Sequence, residues 1–554
     1  MPGKYYFGNS LVYPEILIEI RKEIMEKRSW AHNAVVYQIY PLSFKDGNGD
    51  GKGDLPGIIS KLDYLKDLGI DAIWLSPIYQ SPMADFGYDI SNHTAIDPIF
   101  GTMEDFDSLV AACHERDIKI MLDFVPNHTS NLHPWFLESA SAADSPKRDW
   151  YLWADGKGEE PPNNWLSVFG GSGWQLDKKT GQYYFHSFLK EQPDLNYRNP
   201  EVVRAMEEIL TFWLERGVDG FRIDAAYHIM KDESLRDNPP NSFYEPGSHD
   251  PYFAQINAYS HGLSETFAVI KSWCQVLTRF GDKFMVTEVH AGFEKMVDLY
   301  KICDAGHHSP FNFNLISMPW SAEEFKKFID DFESHLRPQD LPNYVLGNHD
   351  KPRVVSRLGQ QRARALAMME MTLRGMAFVY YGEEIGMDDT TIPADEVLDP
   401  FEKNVPGFAL GRDGCRTPMQ WDGQPNAGFT KGHPWLRVNQ NYLEVNVRAE
   451  QKNPLSMLSL YRQLIAMRKT SPAIISGSYK SLNLDGRVFS YMRVGQEEEF
   501  LVLLNFSEQS VTLPLPFEQG KILLNTWLTQ NETFFDRGIL TLAGYEGMVI
   551  KKTS

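Results

Sequence analysis

The segment GFRIDAAYH at residues 220–228 places two charged residues, Arg222 and Asp224, in an otherwise apolar run. The run predicts a buried parallel strand, and residues two apart in a strand point to the same face. Because an unpaired buried ion costs several kcal/mol, the two side chains are expected to pair. Two interpretations of this segment stay open. The pair is either a structural ion pair, or a carboxylate nucleophile that its Arg neighbour keeps ionised.

Further acidic and polar residues follow other predicted strands. They are Asp123, Asn127 and His128 after the third strand, Glu288 after the fifth, and Asn348, His349 and Asp350 after the seventh. In a barrel of parallel strands the C-terminal strand ends surround one mouth, so Asp224, Glu288 and Asp350 are expected to meet there. Two carboxyls that flank a scissile bond are the arrangement of a glycosidase.

The elements that must position these residues alternate along the chain from about residue 33. Short apolar strands are predicted at 35–44, 70–79, 119–128, 220–226, 283–290, 310–316, 343–350 and 375–386, most of them separated by amphipathic helical patterns. Repeated βα units predict a parallel sheet, and eight of them predict a (β/α)8 TIM barrel. A doubly wound open sheet is the rival fold, weakened because no GxGxxG motif follows the first strand.

Two further regions are predicted outside the barrel pattern. Residues 129–199 are rich in Trp, Gly and Pro and too long for a loop, so they predict a subdomain inserted after strand three. The barrel itself is assigned to residues 1–128 and 200–474, with its final helix at 454–470. Short alternating strands over 475–554 predict a C-terminal antiparallel domain that is β-sandwich-like.

Composition excludes several classes of partner. The 554 residues carry a net charge of −20, from 54 Lys plus Arg against 74 Asp plus Glu, which disfavours nucleic acid and anionic membrane surfaces. No apolar run is long enough to cross a membrane, and residues 11–30 predict an amphipathic surface helix rather than a signal peptide. Cys113, Cys274, Cys303 and Cys415 form no CxxC pair. They predict neither disulfides nor a zinc site, and fit a reducing cytoplasm.

Taken together, the motifs resemble those of the α-amylase superfamily of glycoside hydrolases, and within it the α-glucosidase and oligo-1,6-glucosidase group. The matching segments, in the family's order, are DFVPNH (123–128), QPDLN (192–196), GFRIDAAYH (220–228), TEVH (287–290) and NHD (348–350). GIDAIWLSPIY (69–79), DFGYDI (85–90) and GRDGCRTPMQW (411–421) fit as well. The resemblance covers nearly the whole chain.

The resemblance implies a role for each acid. Asp224 is the expected nucleophile, Glu288 the expected general acid and base, and Asp350 the expected partner of the sugar hydroxyls. Arg222 is expected to keep Asp224 ionised, while the charges of Asp224 and Asp350 are expected to raise the pKa of Glu288.

The resemblance also implies how one glucose unit is held in subsite −1. His128 and His349 are expected to donate hydrogen bonds to its hydroxyls, and Tyr88 is expected to stack beneath it. A lone histidine is more often a satisfied core or rim residue, but the motif context of both rings favours the binding role.

A closed end of the pocket is implied as well. Asp85 with Arg412 is expected to block the non-reducing end of the sugar, which would restrict the enzyme to exo action. Arg416 is the alternative to Arg412, because spacing does not separate the two. Phe169 is a candidate for another pocket wall, with a plain core aromatic as the alternative.

The loop DGNGDGKGD at residues 46–54 presents oxygen-bearing side chains at alternating positions, with glycines between them. Its spacing resembles that of an EF-hand calcium loop, but the flanking helices and the final Glu are missing. Similar loops in the resembled family bind a structural Ca2+ or Mg2+. The expected ligands are Asp46, Asn48, Asp50, Asp54 and the carbonyl of Lys52. A plain acidic turn is the alternative.

The motifs together predict a retaining exo-α-glucosidase acting on short α-1,4-linked glucosides, cytoplasmic, without an organic cofactor, and monomeric or homodimeric. The linkage prediction depends on Ala225, because in the resembled group a small residue after the nucleophile accompanies α-1,4 specificity and Val accompanies α-1,6 specificity. Three alternatives remain. They are an oligo-1,6-glucosidase, a transglucosylase or isomerase acting on sucrose or trehalose, and a non-catalytic relative that serves as a binding subunit.

Overall fold

The computed structural model describes residues 5–7, 10–12, 29–303 and 306–553. Tyr5–Phe7 pairs with Ser10–Val12 in a short antiparallel ladder. The amphipathic helix predicted over 11–30 lies, apart from its two ends, outside the described residues.

Seven parallel strands form one curled sheet. They are β1 (Val35–Ile39), β2 (Ala72–Leu75), β3 (Lys119–Phe124), β4 (Gly220–Ile223), β5 (Phe284–Thr287), β6 (His308–Pro310) and β7 (Ala377–Tyr380). Their order across the sheet is β6-β5-β4-β3-β2-β1-β7. All but the first residue of β3 are buried, as expected for a parallel sheet that is covered on both faces.

The gap between β6 and β7 is closed by the segment in which the sequence predicts its seventh strand. Asn343 forms a single parallel bridge with Met376. Towards β6 the side-chain amide of Asn343 donates to Ser309 Oγ (2.9 Å) and to the carbonyl of Pro310 (2.8 Å). This side chain replaces a backbone ladder, so the segment closes the ring without being a regular strand. The fold is a (β/α)8 TIM barrel, and the prediction of the barrel is confirmed.

Some predicted strand bounds are wrong. The sixth strand ends at Pro310, and Asn314–Ser317 forms a helical turn where the sequence predicts strand. The first strand likewise ends at Ile39 and continues as a helical turn, Pro41–Phe44. Both turns bury apolar side chains, so the run of apolar residues in the sequence continues beyond the end of each strand.

Helices cover the outside of the barrel. The longer ones are Leu62–Leu68, Met103–His114, Pro200–Glu215, Thr266–Thr278, Phe293–Leu299, Ala322–His335, Gln360–Thr372 and Met457–Thr470. The last one begins three residues later than predicted, and Leu455 lies before it and is exposed. Within the described part of the chain no helix is long and apolar enough to cross a membrane.

Two smaller sheets lie outside the barrel sheet. Between residues 129 and 199 the strands Trp153–Ala154, Trp174–Leu176 and Tyr183–Phe185 form an antiparallel sheet around a cluster of Trp165, Trp174 and Phe185. The C-terminal region is antiparallel, as predicted. Its main sheet contains Ser478–Asp485, Val488–Val494, Glu499–Asn505, Gly547–Lys552, Gly520–Asn525 and Thr533–Phe535, and Val511–Pro514 pairs separately with Ile539–Leu542.

One cysteine pair contradicts the sequence prediction. Cys274, in the helix Thr266–Thr278, and Cys303, after the helix Phe293–Leu299, form a disulfide with Cα atoms 6.0 Å apart. The sequence did not predict this pairing, because the two cysteines are 29 residues apart and form no recognised motif. The segments after β4 and β5 are neighbours around a barrel, and this neighbourhood brings the cysteines together. Cys113 and Cys415 are free and buried.

Candidate active site

The ends of the neighbouring strands β4 and β5 bring Asp224 and Glu288 side by side. Ile223 pairs with Thr287 in the parallel register, and each acid is the next residue of its chain. Neighbouring strands lie about 4.7–4.9 Å apart. Side chains carried at adjacent strand ends, and bound to one guanidinium, are compatible with the carboxyl separation of about 5–5.5 Å in retaining glycosidases, which is shorter than the 6.5–9.5 Å or so of inverting ones.

Arg222 links these two acids to a third one. Its Nη1 donates to Asp224 Oδ1 and to Asp123 Oδ1, both at 2.7 Å, and its Nη2 donates to Glu288 Oε2 at 2.8 Å. Asp123 faces Arg222 directly in the register of β3 with β4. The structure thus forms the Arg222–Asp224 pair that the sequence predicts. Sequence reasoning missed that the same guanidinium also binds Asp123 and Glu288.

The pKa shifts of the two central acids are the reverse of the sequence expectation. Burial raises the pKa of Asp224 well above its usual range; Arg222 offsets part of this rise, while the charges of Glu288 and Asp123 add to it. Burial also acts to raise the pKa of Glu288, but Arg222 and then His290 outweigh it and lower that pKa to about 2. The expectation failed because one guanidinium serves several carboxyls, and Glu288 has a second cationic neighbour.

Asp350 completes the group of acids. Arg416 Nη2 donates to Asp350 Oδ1 at 2.8 Å, His349 Nε2 lies 3.2 Å from Asp350 Oδ2, and Arg412 Nη1 lies 3.5 Å from Oδ1. Burial opposes ionisation, but His349 and the two arginines lower the pKa of Asp350 well below its usual range. The charge of Asp350 in turn raises the pKa of Asp224, so the acids act on one another.

Tyr88 and His349 form a stacked pair beside these acids. Their ring centroids are 5.5 Å apart at an interplanar angle of 3°, and Tyr88 Oη lies 2.6 Å from His349 Nε2. Tyr88 also donates to Asp123 Oδ2 at 3.0 Å, and Gln38 Nε2 lies 2.7 Å from His349 Nδ1. Burial lowers the pKa of His349 to about 3, so the ring is neutral near pH 7.

His128 connects the barrel to the segment inserted after β3. Its Nε2 lies 3.2 Å from Gln192 Nε2 and 3.2 Å from the carbonyl of Tyr88. Gln192, in the QPDLN motif, donates to Asp85 Oδ2 at 3.3 Å. Burial lowers the pKa of His128 to about 4, so this ring is neutral as well. The role of Gln192 was not predicted, although its motif was recognised.

The structure separates the two arginines that the sequence left as alternatives. Arg412 Nη2 donates to Asp85 Oδ1 at 2.8 Å, which is the pairing expected for a closed end. Arg416 instead donates to Asp350 and, through Nε, to the carbonyl of His349 at 2.8 Å.

The Asp85–Arg412 pair is supported by two further residues. Arg412 donates to both carboxylate oxygens of Asp399, at 3.0 Å from Nε and 2.7 Å from Nη2. The ring of Phe169 lies 5.0 Å from Arg412 Cζ and 4.8 Å from the ring of Phe401. Phe169 therefore packs beside this pair, and its role as a wall of the substrate pocket stays a prediction. Asp399 was missed because it lies in a long irregular connection without a recognisable motif.

Ala225 has an uncommon backbone conformation for a residue with a side chain. It lies in the left-handed region, at φ 45° and ψ 30°, and its amide donates to Glu288 Oε2 at 3.0 Å. Three residues further on, the ring of His228 packs against the rings of His261 and Phe188, at 4.8 and 5.1 Å. The turn after Asp224 thus contributes both to positioning Glu288 and to an aromatic cluster.

The loop at residues 46–54 is held by its own side-chain oxygens. The carboxylate of Asp46 accepts hydrogen bonds from the backbone amides of Asn48, Gly49 and Gly51. The side chain of Asn48 accepts one from the amide of Asp50, and the side chain of Asp50 accepts one from the amide of Lys52. The carboxylate of Asp54 accepts hydrogen bonds from the amides of Gly47, Asn48 and Gly57. Burial opposes ionisation of Asp46, but bonds from Thr430 and these amides lower its pKa. In the described residues no three His, Cys, Asp or Glu side chains converge as a metal cluster.

Comparison with known proteins agrees with this geometry. The family model "Alpha amylase, catalytic domain" matches residues 38–477. The chain is 42% identical to an alpha-glucosidase of Apis mellifera over 496 residues, 87% of this chain and 86% of that protein. It is 40% identical to an oligo-1,6-glucosidase of Parageobacillus thermoglucosidasius over 529 residues, 88% of this chain and 92% of that protein. A solved structure of an alpha-glucosyl transfer enzyme superposes with a TM-score of 0.88 and 37% identity, covering 95% of this chain and 100% of that one. The chain therefore belongs to the α-amylase family of glycoside hydrolases.

Proposed function

We propose that the protein is a retaining exo-α-glucosidase that releases α-glucose from the non-reducing ends of short α-1,4-linked glucosides. The observation that carries the proposal is the pair of carboxyls, Asp224 and Glu288, at neighbouring strand ends and on one guanidinium. Their spacing suits two displacements at one carbon rather than direct attack by water.

In the first step a carboxylate oxygen of Asp224 attacks the anomeric carbon, and the bond from that carbon to the glycosidic oxygen breaks. Glu288 donates its proton to the departing oxygen, and a β-glucosyl ester of Asp224 remains. The cluster favours the proton on Asp224, so a bound substrate has to shift one proton to Glu288. Arg222 contacts both acids and can stabilise whichever one is ionised.

In the second step water attacks the same carbon, and Glu288, now a carboxylate, takes a proton from that water. The ester bond to Asp224 breaks and α-glucose leaves, which restores both acids. Asp350, whose carboxyl stays ionised, is suited to accept hydrogen bonds from sugar hydroxyls and to stabilise the positive charge that develops on the ring.

Exo action is supported by the wall of Asp85, Arg412 and Asp399. These buried side chains are bound to one another, and a chain that continued beyond the first glucose would have to displace them. The α-1,4 preference is supported by the small side chain of Ala225, next to the nucleophile.

Glucosyl transfer is the second candidate function, because the similar solved structure is that of an alpha-glucosyl transfer enzyme. The same two steps apply when a sugar hydroxyl replaces water in the second step. Product analysis of a concentrated maltose digest separates the two: hydrolysis yields only glucose, and transfer yields trisaccharides as well.

We also propose that the loop at residues 46–54 holds a structural Ca2+ or Mg2+. The residues present fit such an ion, because all the donors are oxygens and Asp46 stays ionised. Asp46, Asn48, Asp50, Asp54 and the carbonyl of Lys52 would hold the ion, which would supply stability and take no part in the reaction.

Hydrolysis of an aryl α-glucoside tests the proposal. The wild type should be active, and Asp224→Ala should lose at least ~10^4-fold in kcat/KM, since no nucleophile remains. Glu288→Gln should lose far more kcat/KM on maltose than on the aryl glucoside, whose leaving group needs no proton. Asp331→Ala, at an exposed position on an outer helix, is the matched control. NMR should detect α-glucose as the first product; β-glucose, or an unharmed Asp224→Ala, would refute the proposal.

A further inference from the structure

The two oxygens of Glu288 have different surroundings. Oε2 accepts from Arg222 Nη2 at 2.8 Å and from the amide of Ala225 at 3.0 Å. Oε1 faces His290, whose Nε2 lies 3.6 Å away. Since two donors already occupy Oε2, Oε1 is the oxygen suited to carry the proton that the acid transfers.

His290 is an exposed imidazole beside Glu288. Its ring lies over Phe313, with centroids 5.6 Å apart, and its side chain is 62% exposed. A ring in contact with water exchanges protons freely, and imidazole is the side chain that changes its charge between about pH 5 and 8. The packing on Phe313 places the ring next to Glu288.

Several charged groups near Glu288 keep their charge over that pH range. Arg222 stays a cation, and the pKa of Asp350 lies well below its usual range. Burial lowers the pKa of His228 well below its usual range and that of His261 to about 4, so both rings near His290 stay neutral. Burial raises the pKa of Asp123 to about 6 and that of Asp224 well above its usual range, so these two carboxyls can also change charge. Both bind Nη1 of Arg222, whereas Glu288 Oε2 binds Nη2, so the guanidinium links them to the other oxygen of Glu288. His290 is the side chain that faces Oε1.

We propose, on the basis of the function proposed above, that His290 is a positioning residue whose charge sets whether Glu288 works as an acid or as a base. A protonated ring places a positive charge 3.6 Å from Oε1 and favours the carboxylate, which is the form that activates water. A neutral ring lets Glu288 keep its proton, which is the form that protonates the leaving group. His290 thus favours the second step when charged and the first step when neutral.

Two pH profiles test this inference. kcat/KM for maltose needs protonated Glu288 and loses activity on its alkaline limb. kcat for a nitrophenyl α-glucoside, limited by the second step, needs the carboxylate and loses activity on its acid limb. In His290→Gln the pKa of Glu288 rises, so both limbs should move to higher pH by about one unit, a tenfold change at a fixed pH on either limb. The movement should shrink in about 1 M salt, because the ring is exposed.

Two further variants separate charge from structure. His290→Lys keeps a positive charge at this position, so both limbs should stay at lower pH than in His290→Gln. His335→Gln is the matched control, because His335 also lies beside a carboxylate but on an outer helix. Its Nδ1 is 3.6 Å from Asp331 Oδ1, and 51% of its side chain is exposed. Its profiles should coincide with those of the wild type. The inference would be overturned if the limbs of the His290→Gln profiles coincided with those of the wild type. It would also be overturned if the limbs were the same in His290→Gln and His290→Lys.

A measurement without substrate distinguishes this inference from the proposed function. The carboxyl carbon of Glu288 can be titrated by 13C NMR, with its signal assigned by its loss in Glu288→Gln. His290→Gln should move this titration to higher pH whether or not the protein hydrolyses glucosides. A wild type inactive on all α-glucosides would refute the proposed function, whereas an unmoved carboxyl titration in an active enzyme would refute the role of His290 alone.

Discussion

The closed end of the site and the side near His290 are built differently. At the closed end, Asp85, Arg412 and Asp399 are buried and bind one another at 2.7–3.0 Å. Near His290, the described part of the chain offers no hydrogen-bond partner to either ring nitrogen of the half-buried His261. The connection that follows His228 exposes large apolar side chains, namely Phe243 at 86%, Phe253 at 54% and Ile256 at 53%.

This difference separates what is fixed in the site from what is adaptable. At the proposed closed end the side chains have one arrangement of charges, as the proposed binding of a single terminal glucose requires. The other side exposes apolar side chains, and we expect substitutions among these exposed side chains to cost less stability than substitutions at the closed end.

The largest effect is expected when the closed end is broken. Arg412→Ala leaves Asp85 and Asp399 buried without their cation, which should destabilise the protein by about 3–5 kcal/mol. We expect kcat/KM for maltose to fall ~10^3-fold, since the wall that positions glucose is lost. Thermal unfolding and initial rates measure the two effects.

Arg437→Ala is the matched control for this change. Arg437 Nε donates to Glu396 Oε2 at 2.8 Å in an ion pair with both side chains well exposed, so its loss should leave the thermal midpoint nearly unchanged. If Arg412→Ala behaved like this control, the closed end would not be the fixed part of the site.

A smaller effect is expected on the adaptable side. Ala225→Val should raise the ratio of isomaltose to maltose hydrolysis about tenfold, by filling the space next to the nucleophile. A β-branched residue is disfavoured in the left-handed region, so a stability loss of about 1–2 kcal/mol should accompany it. Rates on both disaccharides and thermal unfolding report the change.

Ala225→Gly separates the effect of size from that of strain. Glycine adopts the left-handed region freely, so this variant should keep the maltose preference and lose no stability through strain. A ratio that stays the same in Ala225→Val would contradict the linkage prediction, even if its stability falls.

The smallest effect is expected far from both sides, at the loop of residues 46–54. Millimolar Ca2+ should raise the thermal midpoint of the wild type by about 2–4 °C over EDTA, and kcat should not change. Asp50→Ala should abolish this rise, whereas Asp117→Ala, at an exposed surface position, should keep it. A wild-type midpoint that is the same in EDTA and in Ca2+ would exclude the metal site.

Much of the fold was predictable because strand and helix periods alternate regularly along the chain. The seventh strand was the exception. There the side chain of Asn343, rather than a backbone ladder, joins the segment to Ser309 and Pro310. A pattern of apolar residues carries no information about such a replacement.

In the site, the sequence predicted only those residues that lie in recognised motifs. Asp224, Glu288 and Asp350 follow strands whose order fixes their meeting point, and Asp85 was paired correctly with Arg412. Asp399 lies in an irregular connection, where nothing local marks it. The reversed pKa shifts of Asp224 and Glu288 depend on how one guanidinium is shared in space, which no spacing along the chain encodes.

The Cys274–Cys303 disulfide closes a covalent ring that contains all of β5 and also Glu288, the residue after it. A ring of this size, whose two cysteines are 29 positions apart, limits the freedom of the unfolded segment by about 3–4 kcal/mol in the chain-entropy picture. The strand that delivers the proposed acid is thus tethered to its neighbour even when the barrel loosens. The resistance of this segment to heat or denaturant then depends on the thiol–disulfide balance around the protein, as well as on the bound sugar.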